Sequence, residues 1–258
     1  MVFSWRFTLL CSGIACSILG PLSACSASDF FEESGAVAVY AVHHGTDDGD
    51  SFPPDLTPHP DWREFETDEG YAIKLAEGFR VFVGLDFISC AGAAYPVRLQ
   101  YYPRFESVVD TEDTERTTVG TLDLPPGTYC ALDIHYGPYE YPPSGSEDPR
   151  PGEKELDGKT VLLRGSADDE HDFDWAKSLD FTVRRSLAEI DAGGALRIDR
   201  DAGNAKRIAV TLTYDRLLDG VDFDDSSPDF ERAVVRGIKK HTGVMLGLNL
   251  VPGEVSYD

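Results

Sequence analysis

The sequence predicts a mainly β protein of the all-β class: an antiparallel β-sandwich with one C-terminal helix. Many short segments are rich in β-branched and aromatic residues, and several alternate apolar with polar residues, which is typical of strands. Connections rich in glycine, proline and aspartate separate these segments. One late segment, residues 228–241, carries the start and stop signals of a helix. Short strands with turn-rich connections favour a sandwich.

The predicted strands follow from these patterns in chain order. The first is the apolar run of residues 35–43, and a long segment rich in Gly, Asp and Pro follows it. Because long loops in compact domains are often functional, that segment is a candidate binding region. Residues 106–115 and 167–174 are predicted to be acidic loops. The later predicted strands are residues 70–75, 79–90, 96–105, 160–164, 179–187, 196–198 and 206–214.

Residues 119–136 have the pattern of a β-hairpin. Pro125, Pro126 and Gly127 can neither continue a strand nor open a helix, so the chain reverses there. After the turn the side chains alternate between two faces, and Cys130 belongs to the apolar one. We therefore expect Cys130 to point into the core.

The predicted helix has matching signals at both ends. Ser227 offers a capping hydroxyl, Pro228 suits the first turn, and Asp229 suits the positive end of the helix dipole. The last turn is cationic, and Gly243 then stops the helix.

Residues 1–24 are predicted to be a signal peptide and not part of the fold. Arg6 supplies the positive charge, and residues 7–22 form an apolar run that is too short and too broken to span a membrane comfortably. The chain is therefore divided into a signal peptide (1–24), a lipidated tether (25–34) and a β-sandwich domain with a C-terminal helix (35–258).

The end of the apolar run, Leu22, Ser23, Ala24 and Cys25, resembles the lipobox of bacterial lipoproteins. The resemblance implies cleavage before Cys25, a diacylglyceryl group on its sulfur and an acylated N-terminus, which together anchor a protein to a membrane. Ser26 after the lipid site implies sorting to the outer membrane of a Gram-negative bacterium. The alternative is ordinary secretion with Cys25 as a free thiol.

The remaining cysteines predict a disulfide. Cys11 and Cys16 leave with the signal peptide and Cys25 is lipidated, so Cys90 and Cys130 remain. An even pair in an oxidising compartment is expected to be bonded. A two-thiolate metal site is the alternative, but neither cysteine has a histidine at the spacing typical of zinc sites.

The formal net charge of −23 at pH 7 argues against nucleic-acid binding, because such a surface repels phosphate backbones. The same charge would draw cations, although a solvated acidic face has the same composition.

The sequence carries no recognised catalytic motif, and we predict that the protein is not an enzyme. It has no Gly-x-Ser-x-Gly, no His-Glu-x-x-His, no phosphate-binding glycine loop and no dinucleotide fingerprint. A glycosidase-like carboxyl pair stays open, because any two of the 46 acidic residues could meet in space. The alternative function is therefore an envelope hydrolase acting on polysaccharide or peptide.

His43, His44 and His135 are the candidate metal ligands. His43 and His44 end the first predicted strand, and His135 lies near the end of the strand after the Pro-Pro-Gly turn. Because strand ends of a sandwich can converge at one rim, these imidazoles could hold copper or zinc. The alternative is that His43 and His44 are loop residues and that His135 lies on a solvated face beside Asp133.

The chain also resembles two groups of bacterial envelope proteins. One is a family of uncharacterised lipoproteins with Gly-x-Val-x-Val-Tyr, here residues 35–40, and Leu-Pro-x-Gly-x-Tyr, here residues 124–129. The other is the MbnP-like group of copper-associated periplasmic proteins, to which residues 79–90, the Pro-Pro-Gly-Thr-Tyr hairpin and residues 216–223 are similar. The resemblance implies a β-sandwich envelope lipoprotein. No copper ligand can be matched residue by residue.

The sequence therefore predicts a cell-envelope lipoprotein that acts as a binding or interaction module. Copper or zinc is the specific ligand hypothesis, and the membrane is a partner through the lipid anchor, with an envelope protein as a further partner. A hydrolase and a purely structural docking module are the alternatives.

Overall fold

A computed structural model describes residues 36–46, 62–100, 104–110, 115–140, 154–188, 190, 194–199 and 206–247. The predicted signal peptide 1–24, the lipid site Cys25 and the tether 25–34 lie outside these residues. In the described part of the chain, no helix has the length and apolar character needed to cross a membrane.

Strands make up most of the described chain, and an α-helix lies near its C-terminal end, so the mainly β fold with one late helix is confirmed. The helix α1 is Phe230–His241. The strands are β1 (Ala36–His44), β2 (Arg63–Glu66), β3 (Ala72–Ser89), β4 (Ala94–Pro96), β5 (Arg98–Leu99), β6 (Arg104–Ser107), β7 (Thr117–Asp123), β8 (Gly127–Tyr136), β9 (Val161–Ala167), β10 (His171–Lys177), β11 (Phe181–Ser186), β12 (Leu196–Ile198), β13 (Lys206–Thr213) and β14 (Thr242–Leu246).

The strands form two sheets. The smaller has five strands in the order β14-β13-β1-β7-β5. The larger has nine: its main path is β10-β9-β3-β8-β11, β12 pairs with β8, and β2, β4 and β6 pair with β3. One buried cluster contains residues of both sheets, such as Val39 and Val210 from the smaller and Phe87 and Ile134 from the larger. The sheets therefore enclose a shared core, as in a sandwich.

The predicted hairpin over residues 119–136 is wrong. β7 pairs with β1 and β5 in the smaller sheet, whereas β8 pairs with β3, β11 and β12 in the larger one, so the Pro125-Pro126-Gly127 turn passes from one sheet to the other. A pattern of strand, turn and strand does not tell whether the two strands pair with each other.

One strand pair also departs from the antiparallel prediction. β1 and β13 are parallel, from Val37 opposite Lys206 to His44 opposite Thr213. The other described strand pairs are antiparallel. Pairing the first strand with one near the end of the chain depends on long-range packing, which local periodicity does not report.

Four predicted breaks or loops are strand in the structure. β2 (Arg63–Glu66) lies at the end of the long loop predicted after the first strand, and the part of that loop at residues 47–61 lies outside the described residues. β3 runs through Glu77 and Gly78, where its register with β9 shifts between Leu75 and Glu77. Glu106, predicted to open an acidic loop, lies in β6 and is 1% exposed. The predicted acidic loop 167–174 is the β9–β10 turn and the first half of β10. In each case the charged residues favour a loop locally, but hydrogen-bonded pairing with β3 or β9 outweighs that preference.

The helix prediction is correct in position, but both caps differ. Thr242, not Gly243, follows the last turn as the C-cap, and Gly243 lies in β14. The N-cap is Asp229, whose carboxylate accepts a hydrogen bond from the Arg232 backbone N–H at 3.1 Å. The last turn carries Lys239, Lys240 and His241, which suit the negative end of the helix dipole.

Cys90 and Cys130 form the disulfide that the cysteine count predicts, with their Cα atoms 4.9 Å apart. The bond ties the residue after β3 to the middle of β8. Because 40 residues separate the two cysteines, closing this loop stabilises the fold by about 4 kcal/mol on the chain-entropy account.

Candidate functional site

A groove runs along the outer edge of β10, and we call it the β10 groove. One wall is formed by residues 170–175, which include most of the strand. The other wall is formed by Phe223, Asp225, Pro228 and Phe230, from the segment that leads into α1 and from its first residue. The groove has a volume of about 480 Å³.

A tight hairpin fixes the position of β10. Asp168 and Asp169 have φ angles of 52° and 57°, and aspartate tolerates this left-handed conformation better than most residues. The Asp168 carboxylate accepts a hydrogen bond from the Ala72 backbone N–H at 2.8 Å. Lys74 Nζ lies 2.7 Å from Asp169 Oδ1. The turn is thereby tied to β3, which sets where β10 begins.

Four aromatic rings form the apolar side of the groove. Phe173 and Phe223 are 7% and 5% exposed and form its floor, whereas Trp175 and Phe230 are half-buried. The Phe230 ring centroid lies 6.3 Å from that of Trp175 and 5.8 Å from that of Phe173. Gly165 faces Phe173 across the β9–β10 pair, and a Cβ atom there would lie 2.9 Å from the ring. The same Cβ atom would come closer still to the backbone oxygen of Lys74, so the glycine leaves room both for the ring and for the neighbouring strand β3.

Four carboxylates also line the groove, from Glu170, Asp172, Asp174 and Asp225, and its described lining contains no lysine or arginine. Asp172 and Asp174 are exposed and share one face of β10, because side chains alternate along a strand. Arg164 Nε lies 3.0 Å from Asp174 Oδ1, and this contact raises the pKa of Arg164. The groove therefore keeps an excess of negative charge.

Hydrogen bonds hold the second wall in place. Tyr71 donates its hydroxyl proton to Asp222 Oδ1 at 3.0 Å, and the Asp224 backbone N–H donates to the same oxygen at 3.0 Å. The Ser227 backbone N–H donates to Asp225 Oδ1 at 3.1 Å. These bonds order the segment before α1 and so position the second wall.

Side-chain contacts link the walls at both ends of β10. His171 Nε2 lies 3.4 Å from Asp224 Oδ1, and Lys177 Nζ lies 3.8 Å from Glu231 Oε2. Exposed pairs of this kind contribute about 0–1 kcal/mol each. They position the two walls and add little to overall stability.

A separate buried network connects the two sheets. Arg80 Nε donates to Glu106 Oε2 at 2.5 Å, and His43 Nδ1 lies 3.2 Å from Glu106 Oε1. Arg80 also donates to the backbone carbonyls of Val42 and Val210. Burial disfavours the ionised form of Glu106, but Arg80 and then His43 outweigh it, so the pKa of Glu106 is lowered. Arg80, Glu106 and His43 are at most 1% exposed. We therefore infer that this network stabilises the fold.

The structure places the three candidate metal ligands in different surroundings. His43 belongs to the buried network, and His44 donates from Nδ1 to the Gly45 carbonyl at 2.6 Å. Nδ1 of His135 lies 2.9 Å from Thr182 Oγ1, and its Nε2 lies 2.9 Å from Asp86 Oδ2.

Among the described residues, no group of three or more His, Cys, Asp or Glu side chains could hold a metal ion. The described geometry therefore does not assemble His43, His44 and His135 into one ligand set, and the copper or zinc site stays a prediction.

Comparisons with known proteins add one distant likeness. The structure of MbnP from Methylosinus trichosporium is similar over 82% of this chain and 98% of its own, with 15% sequence identity and a TM-score of 0.39. No family model matches the chain, and no curated protein matches it. A likeness this distant identifies no functional site.

The β10 groove was missed by the sequence reasoning, which placed residues 167–174 in a loop. A signal for it exists, because His171, Phe173 and Trp175 alternate with Asp172 and Asp174. That two-residue period indicates a strand. The facing ring of the second wall comes from a distant part of the chain, and no local pattern identifies it.

Proposed function

We propose that the protein is an exported, lipid-anchored binding module of the cell envelope, and that its β10 groove binds a cationic, partly apolar ligand. The observation that carries this proposal is the composition of the groove. Its lining combines four aromatic rings with four carboxylates and, in the described residues, no lysine or arginine.

This composition suits a cation for two physical reasons. A cation over the face of an aromatic ring is stabilised by about 0.5–2 kcal/mol, depending on its exposure. Carboxylates near the surface add a Coulomb attraction, and the net charge of −23 raises the local concentration of cations before contact. The half-buried rings of Trp175 and Phe230 also offer apolar surface to the rest of the ligand.

The location in the envelope rests on the sequence. The apolar N-terminal run and the Cys25 lipobox support export, a lipid anchor and sorting to the outer membrane. A role without catalysis is part of the proposal, and turnover of polysaccharide or peptide substrates by the purified protein would instead support the hydrolase alternative.

The test is a calorimetric titration of the full-length protein, in detergent and at low salt, with the polyamine spermidine as the probe. The key variant is Asp172→Asn, which removes one exposed carboxylate from the groove. The matched control is Asp123→Asn, which removes an exposed carboxylate from β7 in the other sheet.

We expect Asp172→Asn to weaken binding about fivefold, because a near-surface ion pair contributes up to about 1 kcal/mol. Asp123→Asn should leave the affinity unchanged, and added salt should weaken binding by screening. Equal losses in the two variants would show non-specific attraction to an acidic surface, and absence of binding would reject the proposal.

The metal hypothesis has its own test. Metal analysis of the protein purified without a histidine tag, beside a His135→Ala variant, measures copper and zinc directly. Because both ring nitrogens of His135 already contact Thr182 and Asp86, we expect equal metal content in the two proteins. Stoichiometric copper or zinc that is lost in the variant would restore the predicted site.

A further inference from the structure

The β10 groove has a second property that its composition does not reveal: one wall is the edge of a sheet. β10 ends the nine-stranded sheet and pairs with β9, and within the described residues no strand pairs with its other side. In antiparallel pairs, alternate residues turn their backbone N–H and C=O groups away from the neighbouring strand. The outer edge of β10 therefore presents a row of hydrogen-bonding groups to the groove.

The groove follows this edge over several residues. Consecutive residues 171–175 all line it, although their side chains alternate between the two faces of the sheet. Consecutive lining of this kind arises when the strand backbone itself borders the groove. A neighbouring strand would lie about 4.8 Å from β10 and would continue the sheet. The second wall packs on one face of β10 through Phe173 and Trp175.

The two faces of the edge differ in chemistry. Asp172 and Asp174 lie on the face that also carries Arg164, whereas Phe173 and Trp175 lie on the face that packs against Phe230. Cross-strand neighbours on one face interact directly. A strand added at this edge would therefore place its side chains alternately against carboxylates and against aromatic rings.

Self-pairing of two copies at this edge brings like charges together in two of the possible registers. If two β10 strands paired antiparallel about Phe173, Asp172 of one copy would lie opposite Asp174 of the other. If they paired about Asp174, the two Asp174 side chains would face each other. Like charges directly opposite are destabilising, so these two registers are disfavoured, whereas basic side chains of a partner strand would complement Asp172 and Asp174.

We propose that the β10 groove binds an extended peptide of a partner protein, which adds to β10 as a further strand and alternates basic with apolar residues. This inference rests on the proposed cation-binding function and narrows its ligand to one class. The basic side chains contact Asp172 and Asp174, and the apolar side chains contact Trp175 and Phe230. The backbone bonds to β10 supply the rest of the binding, as in other cases of strand addition.

The test uses a capped synthetic peptide of about eight alternating lysine and valine residues, long enough to span the groove wall. Its matched control has the same side chains, with N-methyl groups on the lysine amides. A second control has N-methyl groups on the valine amides. Because the N–H groups of alternate residues point to opposite sides of a strand, the blocked N–H groups face β10 in only one of the two peptides. Each is titrated into the full-length protein, and spermidine is titrated in parallel.

We expect one methylated peptide to bind at least about tenfold more weakly than the parent, and the other to bind with nearly the parent affinity. Equal binding of all three peptides would overturn strand addition while leaving cation binding intact. If spermidine binds and the parent peptide does not, the inference also fails. If neither spermidine nor the parent peptide binds, both the inference and the proposed function fail. Sedimentation tests the remaining occupant: dimers of the parent protein that are absent in Trp175→Ala would show that a second copy pairs with the edge, and would overturn the partner-peptide inference.

Discussion

The indole of Trp175 is stacked on the ring of Phe230, with centroids 6.3 Å apart and planes 24° apart. This contact joins the edge strand of the larger sheet to the first residue of α1. Both rings are half-buried, so the same pair supports the groove and offers surface to a ligand. We therefore expect these two side chains to contribute both to the stability of the fold and to the binding of a ligand.

Replacing Trp175 should affect both properties. Trp175→Ala removes a half-buried ring, and we expect the free energy of unfolding to fall by about 2 kcal/mol. Spermidine affinity should fall at least about threefold through the lost cation–π contact. Trp175→Phe should recover most of the unfolding free energy, measured by denaturant unfolding, and most of the spermidine affinity, measured by calorimetry. Unchanged affinity in Trp175→Ala would remove this ring from the site.

The Arg80–Glu106 pair should dominate the acid sensitivity of the fold. The folded protein lowers the pKa of Glu106 below its usual value of 4.5. A lowered pKa contributes stability above the unfolded pKa, and this contribution is lost as the pH falls through the folded pKa. Glu106→Gln should therefore flatten the decline of unfolding free energy below about pH 4.5, measured by urea unfolding at several pH values.

The same substitution should be costly at neutral pH. Glu106→Gln leaves the buried Arg80 charge without its carboxylate, and we expect a loss of about 3–5 kcal/mol. The double variant Arg80→Met with Glu106→Leu removes both charges and should lose less than Glu106→Gln alone. A single variant as stable as the wild type would contradict the assignment of this network to the fold.

Breaking the disulfide should destabilise the sandwich without changing its secondary structure. We expect the Cys90→Ala with Cys130→Ala variant to lose about 4 kcal/mol of unfolding free energy while keeping the β-rich circular dichroism spectrum of the parent. Equal stability of the oxidised and double-variant proteins in urea would contradict this account.

Cys25 should carry the membrane anchor. We expect the mature protein to start at Cys25 with the mass of a triacylated residue and to fractionate with membranes, because several acyl chains give durable anchoring. Cys25→Ala should move the protein to the soluble fraction. An unmodified mature N-terminus in mass spectrometry would rule out the anchor and leave the groove untouched.

The features that the sequence predicted well are those with local signals. The chain reversal at Pro125-Pro126-Gly127, the inward side chains of Leu132, Ile134 and Tyr136 and the helix ending at His241 follow from turn chemistry, two-residue alternation and charge placement. The alternation fails at the start of β8. Tyr129 is in the core and Cys130 is half-buried, because the register with β3 shifts between Ile88 and Ser89. The disulfide followed from cysteine counting.

The features that were missed depend on distant contacts. β1 pairs in parallel with β13, and Glu106 is buried because Arg80 and His43 meet it there. β10 was assigned to a loop because its aspartates outweighed the alternating aromatics. Its groove also requires Phe230, which is far along the chain and comes near only through packing.

The central claim is that cations bind at the β10 groove and not over the acidic surface in general. Its most direct test is to follow backbone amide chemical shifts by NMR during a titration with spermidine. The account predicts shifts concentrated at residues 170–175 and 223–230, and their loss in Asp172→Asn. Shifts spread evenly over exposed carboxylates, including the neighbours of Asp123, would contradict it.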